Sequence, residues 1–144
     1  MIAQFVLGAV IVVLGVVGFA WPDGVSRALT LAGLLLGISG LVLFVLGISA
    51  LGSSLTPFPR PSDGATFRGS GVYGRVRHPI YGGVLLLALG WSLALSPLAL
   101  GATALLWLLL ELKSRHEEAM LVARYPEYRT YREHVRRRFV PGLH

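Results

Sequence analysis

Cysteine is absent from the 144 residues, which removes disulfides, thiolate metal sites and cysteine nucleophiles together. Charge is scarce: Asp, Glu, Lys and Arg make up 14% of the chain, against about 25% in soluble globular domains. Acidic residues are scarcer still, seven against thirteen basic ones, for a net charge of +6. No ionisable side chain occurs within 2–20 or 28–51, so the mid-span charge expected of a small transporter is missing from both stretches. Apolar residues fill the space. With 54% hydrophobic residues and a mean hydropathy of +0.68, the composition is that of an integral membrane protein.

A helix needs about 20 apolar residues to cross the hydrocarbon layer. Residues 2–20 supply 19 and 28–51 supply 24, and both read as spans. The first is too long for a signal-peptide core and lacks a basic flank, so it reads as retained. Residues 80–95 and 98–110 give 16 and 13, separated by Ser96 and Pro97. They predict a helical hairpin, spanning or re-entrant. Unpaired backbone groups are too costly in lipid for any form but helix here. The GxxxG of Gly33 and Gly37, with Gly82, Gly83 and Gly90, predicts close helix contacts.

The expected fold is thus an all-α integral membrane protein of about four transmembrane helices, the third and fourth as a hairpin. A C-terminal amphipathic helix follows. The whole chain, 1–144, reads as one membrane domain with two N-terminal spans in 1–51. Twelve of the thirteen Lys and Arg residues lie in the loop 52–78 or beyond residue 112, which puts loop and tail together on the cytoplasmic side.

The loop is rich in Gly, Pro and Ser and predicts little regular structure. Within it, 69-GSGVYG-74 matches a dinucleotide fingerprint by letter but lacks the preceding strand, the following soluble helix and the later acidic residue that give the pattern its function. A turn near the membrane surface is the better reading.

More informative is 74-GRVRHPIYGG-83. Pro79 suits the first turn of a helix, with His78 at its cap. The amides of Ile80, Tyr81 and Gly82 would then lack carbonyl partners within the helix, and Arg75 and Arg77 stand close by. Such a place can hold a carboxylate or phosphate. The competing reading is a basic flank that only grips lipid phosphate.

Past the fourth apolar run, helical spacing puts Glu111, Arg115 and Glu118 on one stripe and Lys113, Glu117 and Arg124 on another. Such pairs usually form solvated salt bridges of a few tenths of a kcal/mol. Glu111, however, ends an unbroken apolar run, where a carboxylate is costly unless something binds it. His116 and Glu117 open like HExxH, but position 120 is Met, so no metal is expected. Beyond Pro126, Tyr128, Tyr131 and Val135 share one face of a basic helix that reads as lying at the headgroups rather than on nucleic acid.

RHPxYxG at 77–83, with glycine at both 82 and 83, is followed about 34 residues later by Glu117 and Glu118 and then by YPEYRTYREHVRRRFVP. Together these resemble the integral membrane methyltransferases of the isoprenylcysteine carboxyl methyltransferase and phospholipid methyltransferase superfamily, over residues 70–143. The resemblance implies a catalytic region that binds S-adenosylmethionine between the RHPxY helix start and the glutamate pair. The methyl acceptor, lipophilic or small, would arrive from among the membrane lipids.

Carried across by motif, Arg77, His78, Pro79, Ile80, Tyr81 and Gly82 would line the cofactor site with Glu117 and Glu118. His78 and Tyr81 would hold the methionine end, and Glu118 the ammonium. Lys113, Arg115 and Glu118 become the catalytic candidates. The chain departs from the pattern where Lys113 replaces an arginine five residues before the second glutamate, where Ser96 replaces an asparagine, and where Pro126 replaces a glycine. The alternative from another class is a non-catalytic four-helix membrane protein, a small transporter or an accessory subunit.

Overall fold

The computed structural model describes residues 2–51 and 71–141. Among these residues the chain is all helical. α1 is Ile2–Val17 and α2 is Asp23–Leu51; a 3-10 turn, Gly71–Gly74, leads into α3, Pro79–Leu95; α4 is Leu98–Arg124 and α5 is Tyr128–His134. The expectation of an irregular loop falls mostly on residues 52–70, outside the described residues.

α2 is the described helix that is both long and apolar enough to cross a bilayer, with 29 residues spanning on the order of 43 Å. α1, with 16 residues, and α3, with 17, are shorter apolar helices. α2 turns Leu31, Leu34, Leu35, Ile38, Leu41, Val42, Val45 and Leu46 outward. Its buried residues are Gly33, Gly40, Leu43 and Gly47. An apolar rod that packs through glycine and shows leucine to its surroundings is built for lipid, where small residues let helix backbones touch.

α3 packs antiparallel against that glycine seam. A Cβ added at Gly33 would stand 2.5 Å from the Gly90 carbonyl oxygen, and one at Gly40 would stand 2.8 Å from that of Gly83. The seam repeats every seven residues, as helices crossing at a small angle require. The GxxxG of Gly33 and Gly37 is therefore not the whole contact. Gly37 has open space where its Cβ would go, although its backbone lies against Gly90.

The second packing unit joins α1, α3 and α4 around Ile11, Leu85, Ala88, Ala99, Ala102, Leu106 and Leu110. Ser96 makes the hairpin turn. Its hydroxyl donates to the Phe19 carbonyl at 2.9 Å and accepts from the Leu98 amide at 3.3 Å, with no solvent exposure. Deeper in the hairpin, the hydroxyls of Ser92 and Thr103 pair at 2.8 Å.

α4 does not end with its apolar run at Leu110. It continues unbroken for 27 residues, so the charged segment rides on the same rod as the fourth apolar run. Its buried stripe is Ala99, Ala102, Thr103, Leu106, Leu110, Ser114 and Glu118, spaced by threes and fours. Glu118 thereby stands on the core face, at the buried edge of the stripe it shares with Glu111 and Arg115.

Candidate active site at the start of α3

Pro79 occupies the first turn of α3 and His78 is its cap residue, as the sequence predicts. The His78 side chain makes no capping bond. It crosses to α4 instead, where Nε2 lies 3.1 Å from Glu118 Oε1. Because a carboxylate only accepts, Nε2 carries the proton of that bond. Arg77 Nε donates to the same Oε1 at 2.9 Å. The Arg77 and Glu118 side chains are only 7% and 4% exposed, so this is a buried ion pair across 41 residues of sequence.

Glu117 faces the other side of the helix start. Its Oε1 accepts the Tyr81 hydroxyl at 2.6 Å, and its Oε2 is 3.9 Å from His78 Nδ1. The His78 and Tyr81 rings stack, with centroids 5.5 Å apart. Lys113 completes this side, its Nζ 4.9 Å over the Tyr81 ring and 3.9 Å from Glu117 Oε1. The residues expected to meet, Arg77, His78 and Tyr81 with Lys113, Glu117 and Glu118, are brought together in one cluster.

The tail after α5 closes the cluster from the third side. Arg77 and His78 donate their amides to the carbonyls of Arg137 and Arg138, at 3.0 and 2.8 Å. The Arg77 guanidinium also donates from Nη1 to the carbonyls of Val135 and Arg136, at 2.6 and 2.8 Å. A Cβ at residue 82 would fall 1.8 Å from the Phe139 carbonyl oxygen, while one at residue 83 would meet Phe44 and Gly40 of α2. Each of the paired glycines thus admits a different backbone: Gly82 the tail, Gly83 the neighbouring helix. The Gly82 amide is not spare as the sequence suggests, since it bonds the His78 carbonyl at 3.0 Å as the first closed turn of α3.

The face of α5 expected at the headgroups is taken up by the protein itself. Tyr128 and Val135 are buried, and the Tyr131 hydroxyl donates to the Tyr73 carbonyl at 2.6 Å. Burial raises the Tyr131 hydroxyl to about 12, so it stays a donor at neutral pH. The basic residues of α5 and the tail remain outside, except Arg138.

Arg138 was hidden in the sequence within a run of three arginines. Its Nη1 hydrogen-bonds Glu111 Oε1, and its Nε lies 3.5 Å from Glu118 Oε1. That Nε is buried without a hydrogen-bond partner among the described residues. Arg115 stands apart from the cluster, 66% exposed, with its Nε 2.8 Å from Glu111 Oε1. Between them the two arginines supply what holds the Glu111 carboxylate at the end of an apolar run.

Electrostatics follow from this crowding. Burial alone would raise the Glu118 carboxyl. Hydrogen bonds from His78 and Arg77, and their charges, outweigh it and take the group down to about 2. Burial likewise opposes the ionisation of Glu111, but hydrogen bonds from Arg115 and Arg138, and their charges, outweigh it and hold the group below the usual range. Both carboxylates are therefore anions at neutral pH. All the Glu118 contacts above fall on Oε1, which leaves Oε2 to receive a further donor.

The arrangement offers two carboxylates beside guanidinium, imidazole and ammonium groups within one short stretch of two helices. It suits a small ligand that carries both signs of charge. Among the described residues no three His, Asp or Glu side chains assemble as metal ligands. The α3–α4 hairpin carries an apolar groove of about 380 Å³, lined by Leu85, Leu89, Leu100, Thr103, Ala104 and Trp107. A family model described as phospholipid methyltransferase matches residues 28–128, which run from α2 to the start of α5. No curated protein matches the chain.

Proposed function

Because the chain belongs to the phospholipid methyltransferase family, we propose that it is a membrane methyltransferase that takes its methyl group from S-adenosylmethionine and passes it to a lipophilic or small acceptor. The observation that carries this reading is the direct meeting of His78 with Glu118, at 3.1 Å, and of Tyr81 with Glu117, at 2.6 Å.

The donor set fits the cofactor's charges. The carboxylates of Glu117 and Glu118 suit its ammonium and sulfonium, and the buried Nε of Arg138, which makes no hydrogen bond although it lies 3.5 Å from Glu118 Oε1, is a donor for its carboxylate. His78 and Tyr81 hold the methionine end, with the α3 backbone from Pro79 to Gly82 beside them and Arg77 fixing Glu118. When bound, S-adenosylmethionine supplies a methyl group activated by its sulfonium, which leaves as a neutral thioether as the acceptor's lone pair forms the new bond.

The protein's own work is alignment and exclusion of water, and good alignment alone is worth about 7–11 kcal/mol of barrier. Lys113, at the rim of the cluster, is assigned the acceptor side, where its ammonium stabilises an anionic nucleophile. Glu117 can accept the proton an amine acceptor sheds, while Glu118, taken down to about 2, stays an anion that binds positive charge. Arg115 acts more remotely, through Glu111. The apolar groove between α3 and α4 suits the chain of a lipophilic acceptor whose reactive end reaches the cluster.

In the bilayer, α1 to α4 form four membrane-embedded helices with α3 and α4 as the hairpin. The arginine-rich tail and the loop before α3 face the cytoplasm. Calorimetric titration of the detergent-solubilised protein with S-adenosylmethionine tests the reading. Saturable binding that His78→Ala and Glu118→Gln both abolish, in protein that keeps its helical content, supports it. Absence of binding in the wild type refutes it.

A further inference from the structure

α1 lies before the residues that the family model matches, yet its third residue, Gln4, touches the cluster. Gln4 Oε1 accepts from Lys113 Nζ at 2.9 Å across 109 residues of sequence. Lys113 has an obvious competing partner one turn along its own helix, but Glu117 Oε1 stands 3.9 Å away, beyond hydrogen-bond reach. That oxygen accepts the Tyr81 hydroxyl instead, and the Lys113 ammonium rests over the Tyr81 ring. Lysine preceding glutamate by four is also the weaker order for a helical pair, so a neutral amide from another helix is enough to draw the ammonium off.

We infer that Gln4 is a positioning residue of the site: by taking the hydrogen bond of Lys113, it keeps the 3.9 Å ion pair of Lys113 with Glu117 from closing and so leaves that carboxylate able to take a cationic ligand group. The inference rests on the methyltransferase reading and adds to it a role for α1. Glu117 then receives a positively charged group, and Lys113 an electron-rich one. A neutral side chain is what the position needs, since an acid there would neutralise Lys113, and an apolar residue would release it to Glu117.

S-adenosylmethionine and its demethylated product differ by one methyl group and one positive charge, so the ratio of their affinities reads the free charge of Glu117. In Gln4→Leu, binding of S-adenosylmethionine weakens about tenfold, the effect of one hydrogen bond to a charged group, and the demethylated product loses less. In a Lys113→Met background the same Gln4→Leu change has no further effect, because the ammonium it would release is gone. Gln4→Ala behaves as Gln4→Leu does, which separates the lost amide from a misfit side chain.

An affinity ratio unchanged by Gln4→Leu, or an equal loss in the Lys113→Met background, overturns the inference while the cofactor reading stands. Wild-type protein that binds neither compound overturns both.

Discussion

Arg77 Nε and Glu118 Oε1 lie 2.9 Å apart, and the same guanidinium holds the carbonyls of Val135 and Arg136. One side chain therefore ties the start of α3 both to Glu118 of α4 and to the tail. Removing one member of a buried ion pair typically costs about 3–5 kcal/mol, because the other is left uncompensated. Arg77→Met is expected to destabilise the protein by roughly that much, and to free the tail. Limited proteolysis in detergent reads the second effect directly: cleavage within residues 132–141 rises in the variant before any cut within α1 or α2.

Acid stability depends on Glu118. Its folded-state carboxyl sits near 2 against an ordinary 4.5, so its contribution is complete above pH 4.5 and fades as pH falls toward 2. The shift corresponds to a contribution on the order of 3 kcal/mol. Thermal unfolding followed from pH 6 to pH 3 should show a steep acid limb in the wild type. Glu118→Gln flattens that limb and lowers stability at neutral pH.

The seven-residue glycine seam separates two substitutions that look alike in sequence. A Cβ at Gly40 meets backbone atoms of α3 at 2.7 and 2.8 Å, whereas one at Gly37 meets nothing within 4 Å. Gly40→Ala forces α2 from α3 and should cost about 1–3 kcal/mol. Gly37→Ala should be neutral or mildly stabilising, since alanine is the better helix former. Unfolding in a denaturing detergent ranks the pair.

Ser96 joins the hairpin turn to the chain after α1 through one hydroxyl. Ser96→Ala leaves the Phe19 carbonyl without this donor and is expected to cost about 1–3 kcal/mol. Ser96→Asn restores a side-chain donor and should recover part of the loss, provided the amide fits a position with no solvent exposure. Equal thermal stability of the alanine variant and the wild type would show that water replaces the hydroxyl there.

Much of this was legible in the residues. The apolar runs place α1, α2 and the hairpin, Pro79 marks the start of α3, Glu111 stands out as a costly group beside lipid, and the motif resemblance picks out Arg77, His78, Tyr81, Glu117 and Glu118. What escaped was tertiary. Nothing in a run of three arginines says that only Arg138 turns inward, because each has the same side chain and the register is set by backbone bonds from residues 77 and 78. Helical spacing past Leu110 was legible, but not that α4 runs on unbroken from the apolar run and buries Glu118, because the change of polarity there suggests a solvated helix. Gln4 gave no signal, being a single polar residue near the start of an apolar run. The buried face of α5 had the pattern of a membrane-surface helix, and an apolar stripe does not say what will cover it.

The most direct test is to ask where the cofactor touches the chain. Radiolabelled S-adenosylmethionine, cross-linked by ultraviolet light to the detergent-solubilised protein and traced by peptide mapping, should mark the peptides that carry residues 77–82 and 111–118. Excess demethylated product should compete the label away, and Glu118→Gln should lose it. Saturable, competable label confined to other segments, or label in those peptides that Glu118→Gln leaves undiminished, would contradict the account.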